Sequence, residues 1–189
     1  MAEHASERRR LVRAAMNAPY LEREEERDLA VRWREQGDEA ALHRLTAAHM
    51  RLVIAMAAKF RRYGLSNADL IQEGHIGLLE AASRFEPERE VRFSTYAAWW
   101  IRAAIQDYVL RNWSIVRGGT SSTQKALFFN LRRIRARLAQ EKGDIGEAAI
   151  DREVAATLGV PVGDVAAMGA RLSGPDASLN APLYDRDEA

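Results

Sequence analysis

Cysteine is absent from this chain of 189 residues, and with it go disulfides, thiolate metal sites and any sign of an oxidising compartment. Histidine is scarce. The four present, His4, His43, His49 and His75, are scattered without ligand spacing, so neither a metal nor a cofactor is expected. Long apolar runs are missing too. The longest, Leu52 to Ala58, is far too short to span a bilayer, and the Arg-rich start lacks the apolar stretch of a secretory signal. A reducing, cytoplasmic setting without a membrane span follows. Nucleophile and base pairs, phosphate loops and acids paired at catalytic spacing are also lacking, which argues against an enzyme. No strand alternation appears, so the expected fold class is all-α.

What is present is a globular composition, 47% hydrophobic and 29% charged, with a formal net charge of only +1. The total says little about partners, but the distribution says more. Arg92, Arg102, Arg111, Arg117, Lys125, Arg132, Arg133, Arg135 and Arg137 lie in one stretch with a single acid, Asp107. That stretch carries +8 and the remainder −7. A single-sign segment makes a local positive field of the kind that binds phosphates, although a solvated helix face explains it equally well.

Helical spacing recurs along the chain. Residues 1–18 are polar and Arg-rich and are expected to be flexible. "YLEREEERDLAVRWREQG" crowds acids into its first turns and ends at Gly37, as the helix dipole and a glycine stop require. A second helix starts after Asp38, a suitable N-cap. It carries Leu42, Leu45, His49, Leu52, Val53, Met56 and Phe60 at helical spacing, with Gly64 as its end. "SNADLIQEGHIGLLEAASRFEPE" gives a third, with Ile71, Gly74, His75, Leu78, Ala82 and Phe85 along one side. A fourth runs from about Phe93 to Asn112. Gly118-Gly119 and the Thr/Ser cluster after them read as a linker. A basic amphipathic helix, "QKALFFNLRRIRARLAQEKG", follows, and two short helices then flank "LGVP" from about Asp151 to Leu158 and from Pro161 to Leu172. Two domains are therefore expected, 19–117 and 118–172, with 173–189 an acidic linker or tail.

The fourth helix, "FSTYAAWWIRAAIQDYVLRN", holds more aromatic surface than one buried stripe can take. On a wheel of about 100° per residue, Ala97, Ala104, Ile105 and Tyr108 cluster with Ile101. Trp99 falls roughly opposite, near Tyr96, Ala103, Gln106 and Leu110, and Trp100 lies on the flank at about 100°. If Ile101 marks the core, Trp99 faces out. An outward indole among a tyrosine, a glutamine and arginines suits unpaired bases, offering faces to stack on and cations for phosphates. The same side would equally serve to dock another helix.

"DLIQEGHIGLLEAASRFEPEREVRFSTYAAWWIRAAIQDYVLRNWSIVR" resembles region 2 of bacterial RNA polymerase sigma factors of the primary-type family. "TQKALFFNLRR" resembles the family's heat-shock branch. The resemblance runs from about Pro19 to Pro182 and covers regions 1.2, 2 and part of 3, ending before the helix-turn-helix with which such factors read the minus-thirty-five element. It implies a transcription initiation factor that binds core RNA polymerase and holds the minus-ten element of a promoter open as single-stranded DNA.

The resemblance also implies roles. The "DLIQEG" helix would dock on the clamp helices of core polymerase through Asp69, Gln72 and Glu73, with His75 and Leu79 close by; His75 stands where the family often has asparagine. Gln72, Ile76, Leu79 and Glu80 fall away from the predicted buried stripe, which permits such a contact. Phe93, Ser94, Thr95, Tyr96, Trp99 and Trp100 map onto the melting segment. There the tyrosine stacks on a flipped adenine of the non-template strand, and the tryptophan pair meets the last paired base. Gln106, with Arg102 nearby, would read the first duplex pair, as glutamine can bridge adenine N6 and N7. Arg51 and Leu52, together with His49, match positions at the downstream end of the single strand.

Two departures bear on specificity. Ala103 replaces the common glutamine of primary members, so a different upstream preference is expected. The linker "VRGGTSS" also differs from the primary pattern, which puts recognition of extended upstream bases in doubt. Control by chaperones or proteases is a further property of the heat-shock branch. Two other readings compete: a helix-turn-helix regulator reading duplex DNA with residues 151–172, and a protein-interaction module built on the basic helix with Phe128-Phe129. The near-neutral charge of 151–172 makes it a poor phosphate gripper.

Overall fold

Acids at one end of a sequence stretch and a glycine at the other end bound the first long helix of the structure, a computed structural model. It describes residues 10, 12–114, 121–142 and 146–174. Helix α1 (Arg23–Gln36) has a capping box in which Glu22 and Glu25 satisfy each other's backbone N–H groups, and it stops at Gly37, whose φ of 65° is left-handed. Helix α2 (Glu39–Ala58) is capped by the Asp38 side chain, which accepts from the Ala41 N–H. Arg32 grips the same carboxylate at 2.6 Å. Helix α2 ends sooner than its apolar spacing predicts. Phe60 lies beyond it, and Gly64 closes a separate 3-10 turn, Arg61–Tyr63. Helices α3 (Asn67–Arg84) and α4 (Phe93–Asn112) follow the predicted spans closely.

These helices form one compact unit, Met1–Trp113. Its core combines positions that the helical spacing selects with others, Leu70, Phe93 and Val109, that it does not. Leu45, Val53, Leu70, Leu78, Phe93, Ile101, Ile105 and Val109 are all sealed from solvent. At about 25 cal/mol per Å², each such side chain contributes roughly 1.5–3 kcal/mol, which favours this arrangement over any that turns a helix round. Helices α3 and α4 lie close together at Gly77. A Cβ there would sit 2.7 Å from the Trp100 carbonyl oxygen and 2.9 Å from the Ala104 Cβ. Only a glycine lets the two backbones come so near.

Within the segment expected to be flexible, residues 12–17 are helical and Ala15 is buried. An apolar side chain at that position gives the turn something to pack on, which a reading based on the arginines overlooked.

The second unit, Ser114–Ala189, is built on α5 (Ser122–Lys142), α6 (Glu147–Leu158) and α7 (Val162–Leu172). The division falls between Trp113 and Ser114, where α4 has just ended. Gly118-Gly119, the expected linker, lies outside the described residues, as does the tail from 175 onward. Leu127, Phe128, Leu131, Ile134 and Leu138 of α5 are buried, as are Val154 of α6 and Val165 and Met168 of α7. Their spacing is that of one helix face meeting two others. Helix α6 starts four residues before the predicted Asp151. That extra turn carries Glu147, and Arg135 of α5 reaches both Glu147 at 3.8 Å and the buried Asp151 at 2.6 Å. The described residues contain helices and turns and no strand, and none of their helices is long and apolar enough to cross a membrane.

Candidate functional site

The aromatic helix α4 sorts its side chains by face. Ala97, Ile101 and Ile105 are fully buried, as the wheel requires, while Ala104 and Tyr108 are half-buried. Trp99 stands 70% exposed, with the Arg102 guanidinium 5.6 Å above its ring. Leu110 breaks the pattern: it shares Trp99's side of the wheel yet is 4% exposed. Near a helix end, burial depends on what the chain does next, which the wheel does not contain.

Around Trp99 lies a partly covered set of rings. Tyr96 is half-buried, tilted against Phe85 at 5.6 Å and Trp100 at 6.2 Å, and its hydroxyl donates to the Arg84 carbonyl oxygen at 3.3 Å. The Arg84 guanidinium sits 4.8 Å over the Trp100 ring. Sequence reasoning missed Arg84, which belongs to the neighbouring helix and lies fifteen residues or so before the tryptophans, with nothing local to link them. Thr95, Arg102 and Ala103 are exposed, and Ser94 and Gln106 are half-exposed.

Phe93 does not belong to this surface. Its exposure is 0%, and its ring is held edge-on between His49 at 4.9 Å and Phe85 at 5.2 Å. The first residue of the aromatic motif is thus an anchor for α4. Burial of a phenyl ring is worth more than its exposure, and α2 and α3 supply a place for it.

Behind Phe93 is a buried polar cluster. Glu26 is 4% exposed and takes two hydrogen bonds from Arg92, each 2.8 Å, while His49 Nε2 stands 3.3 Å from its Oε1. The other ring nitrogen of His49, Nδ1, is 2.8 Å from the Leu45 carbonyl oxygen. Burial alone would raise the Glu26 pKa, but the Arg92 hydrogen bonds and charge, the His49 charge and the Phe93 N–H together hold it below the usual carboxylate range. Glu26 was legible in principle: it precedes Leu29 and Ala30 by three and four residues, on the buried stripe of α1.

This cluster forms part of the wall of an apolar cavity of about 560 Å³, whose other walls include Met16, Tyr20, Leu21, Arg51, Leu52 and Ser94. Arg51 lies over the Tyr20 ring at 3.8 Å and donates to the Met16 carbonyl at 3.3 Å and to that of Ala18. So His49, Arg51 and Leu52, neighbours on α2, share one cavity with Ser94, which is more than forty residues further along the chain.

A second face belongs to α3. Gln72 is exposed, as are Ile76 at 53% and Leu79 at 38%, while Glu73 and His75 are half-buried. Burial lowers the His75 pKa and so favours the neutral ring. Asp69, in the first turn, accepts a hydrogen bond from the Tyr108 hydroxyl at 3.2 Å. An apolar pair beside carboxylates and an amide, turned outward from a core helix, makes a surface suited to another helix. Among the described residues no group of histidines and acids could hold a metal ion.

The family model "Sigma-70 region 2" matches residues 45–115, a span containing α3 and α4 whole. The chain is 48% identical over 166 residues to the RNA polymerase sigma factor RpoH of Caulobacter vibrioides, covering 87% of this chain and 56% of that protein. It is 47% identical to the RpoH factor of Rhizobium radiobacter, over 87% and 55%. It is 43% identical to the RNA polymerase sigma-C factor of Myxococcus xanthus, over 90% and 58%. The chain thus spans a little over half the length of these relatives. An all-helical unit with a region 2 match and this degree of identity to several sigma factors places the chain in the sigma-70 family of RNA polymerase sigma factors, with its similarity to the RpoH type.

Proposed function

We propose that the chain is the part of a transcription initiation factor that docks on core RNA polymerase and holds the minus-ten element of heat-shock promoters as single-stranded DNA. The observation that carries this reading is Trp99, an indole left 70% exposed on a helix whose opposite face is sealed. Hydrophobic burial would ordinarily remove such a ring from water, and a base stacked on it returns about 1–3 kcal/mol. Tyr96 and Trp100 extend the stacking surface, Arg102 and Arg84 supply cations, and Gln106 stands where the first paired base would be read. Ser94 and Thr95 sit at the start of the same helix. The cavity beside Arg51 and Leu52 offers room for a base swung out further along the strand, at a cost of a few kcal/mol that apolar contacts can offset.

On this reading Asp69, Gln72, Glu73, His75 and Leu79 meet the clamp helices of polymerase, the factor works in the cytoplasm, and it has no enzymatic activity of its own. The test is a titration of fork-junction promoter DNA with and without core polymerase. Tight binding of the exposed non-template strand in the presence of polymerase, weakened by Trp99→Ala, is the expected result. A preference for plain duplex without polymerase would overturn it. A pull-down of core polymerase checks the docking face: the variant carrying Gln72→Ala and Glu73→Ala should be retained less than the parent chain.

A further inference from the structure

The docking face assigned to α3 carries a hydrogen bond from outside that helix. Tyr108 belongs to α4, the helix that bears Trp99 and Trp100, yet its hydroxyl donates to Asp69 Oδ2 at 3.2 Å across 39 residues of sequence. Asp69 is exposed and Tyr108 is half-buried. The ring is therefore partly covered while the carboxylate it holds faces outward.

We propose that Tyr108 is a positioning residue for polymerase docking, holding the Asp69 carboxylate in the orientation in which it meets a cationic side chain of the partner helix. The inference rests on the docking reading given above and adds to it a residue on the neighbouring helix. An exposed aspartate samples several rotamers, and ordering it on binding costs free energy that a pre-formed hydrogen bond removes. Each carboxylate oxygen has two lone-pair sites, so a phenol bound to Oδ2 leaves both oxygens able to accept the parallel N–H groups of a guanidinium. Glu73, one turn along α3 from Asp69, completes a pair of acids at the spacing that matches arginines or lysines on a facing helix. Burial, followed by the charge and hydrogen bond of Asp69 and the charge of Glu73, raises the Tyr108 pKa. The phenol therefore keeps its proton, and stays a donor, well above neutral pH.

Gly77 adds a reason for the precision of this contact. It lets α3 lie against the α4 backbone with no intervening side chain, so the two helices hold a fixed register in which Tyr108 and Asp69 meet.

The experiment measures the affinity of the chain for core RNA polymerase in four forms: parent, Tyr108→Phe, Asp69→Asn and the double variant. Tyr108→Phe keeps the ring and its packing, and it should raise the dissociation constant about 3- to 10-fold with the thermal midpoint unchanged. In the Asp69→Asn background the same change should have no further effect, because the group it positions has gone. Two results would overturn the inference: a Tyr108→Phe affinity equal to the parent's, or an equal loss in both backgrounds. If Asp69→Asn weakens binding while Tyr108→Phe does not, the docking face stands and only the positioning role falls. If Asp69→Asn binds as the parent does, the docking role of that carboxylate fails and the inference fails with it.

Discussion

Glu26 and Arg92, 66 residues apart in the chain, are joined by two hydrogen bonds of 2.8 Å that tie α1 to the residue capping the N-terminus of the aromatic helix. The carboxylate is buried and the guanidinium is partly solvated, its side chain 43% exposed. Removing the charge from Glu26 leaves Arg92 able to turn to water, while the buried oxygen loses its strongest partner. Glu26→Gln should therefore destabilise the first unit by about 1–3 kcal/mol, read as a lowered thermal midpoint.

The same pair dictates a pH dependence. Because Glu26 has a lowered pKa when folded, the unfolded chain takes up this proton first as the solution is acidified. Its contribution to stability is complete above the ordinary carboxylate range and is lost as pH falls through that range to the lowered native value. Thermal midpoints of the parent and Glu26→Gln should differ at neutral pH and converge on acidification.

Two aromatic residues of one motif should respond in opposite ways. Trp99→Ala removes an exposed ring and should change stability by less than about 0.5 kcal/mol while weakening single-strand binding by about 1–3 kcal/mol. Phe93→Ala empties a sealed site between His49 and Phe85 and should cost about 3–5 kcal/mol of folding stability. Denaturation curves alongside strand titrations for the two variants measure both effects.

Gly77→Ala adds one methyl where the Trp100 carbonyl, the Ala104 Cβ and the Ile101 Cα stand within 2.7–3.0 Å of it. Backbone cannot swing aside as a flexible side chain can, so α3 and α4 must separate, at a cost of about 1–3 kcal/mol. Both the Tyr108 to Asp69 bond and the Trp100 surroundings should be disturbed. Chemical denaturation is expected to show the loss, with weaker polymerase and strand binding accompanying it.

Local signals carried much of the architecture. Asp38 and Gly37 mark a helix start and a helix stop through chemistry that involves only a few neighbouring residues, and α3 and α4 were legible because periodic apolar positions repeat over five turns. The wheel placed Trp99 on the face away from Ile101 and left open whether that face meets another helix. It misplaced Leu110 and the motif reading misplaced Phe93, both at helix ends, where tertiary packing overrides a periodic rule.

By itself the amino-acid sequence determined the helical class, the spans of α3 and α4, and, Phe93 and Leu110 apart, the face on which the residues of the aromatic helix lie, because these depend on spacing within a few turns. Only the tertiary structure decided that Glu26 would be buried against Arg92, that Arg84 would cover Trp100, and that Tyr108 would hold Asp69. Those pairs lie from 16 to 66 residues apart, and no periodicity along a single helix records which side chains meet when separate helices pack.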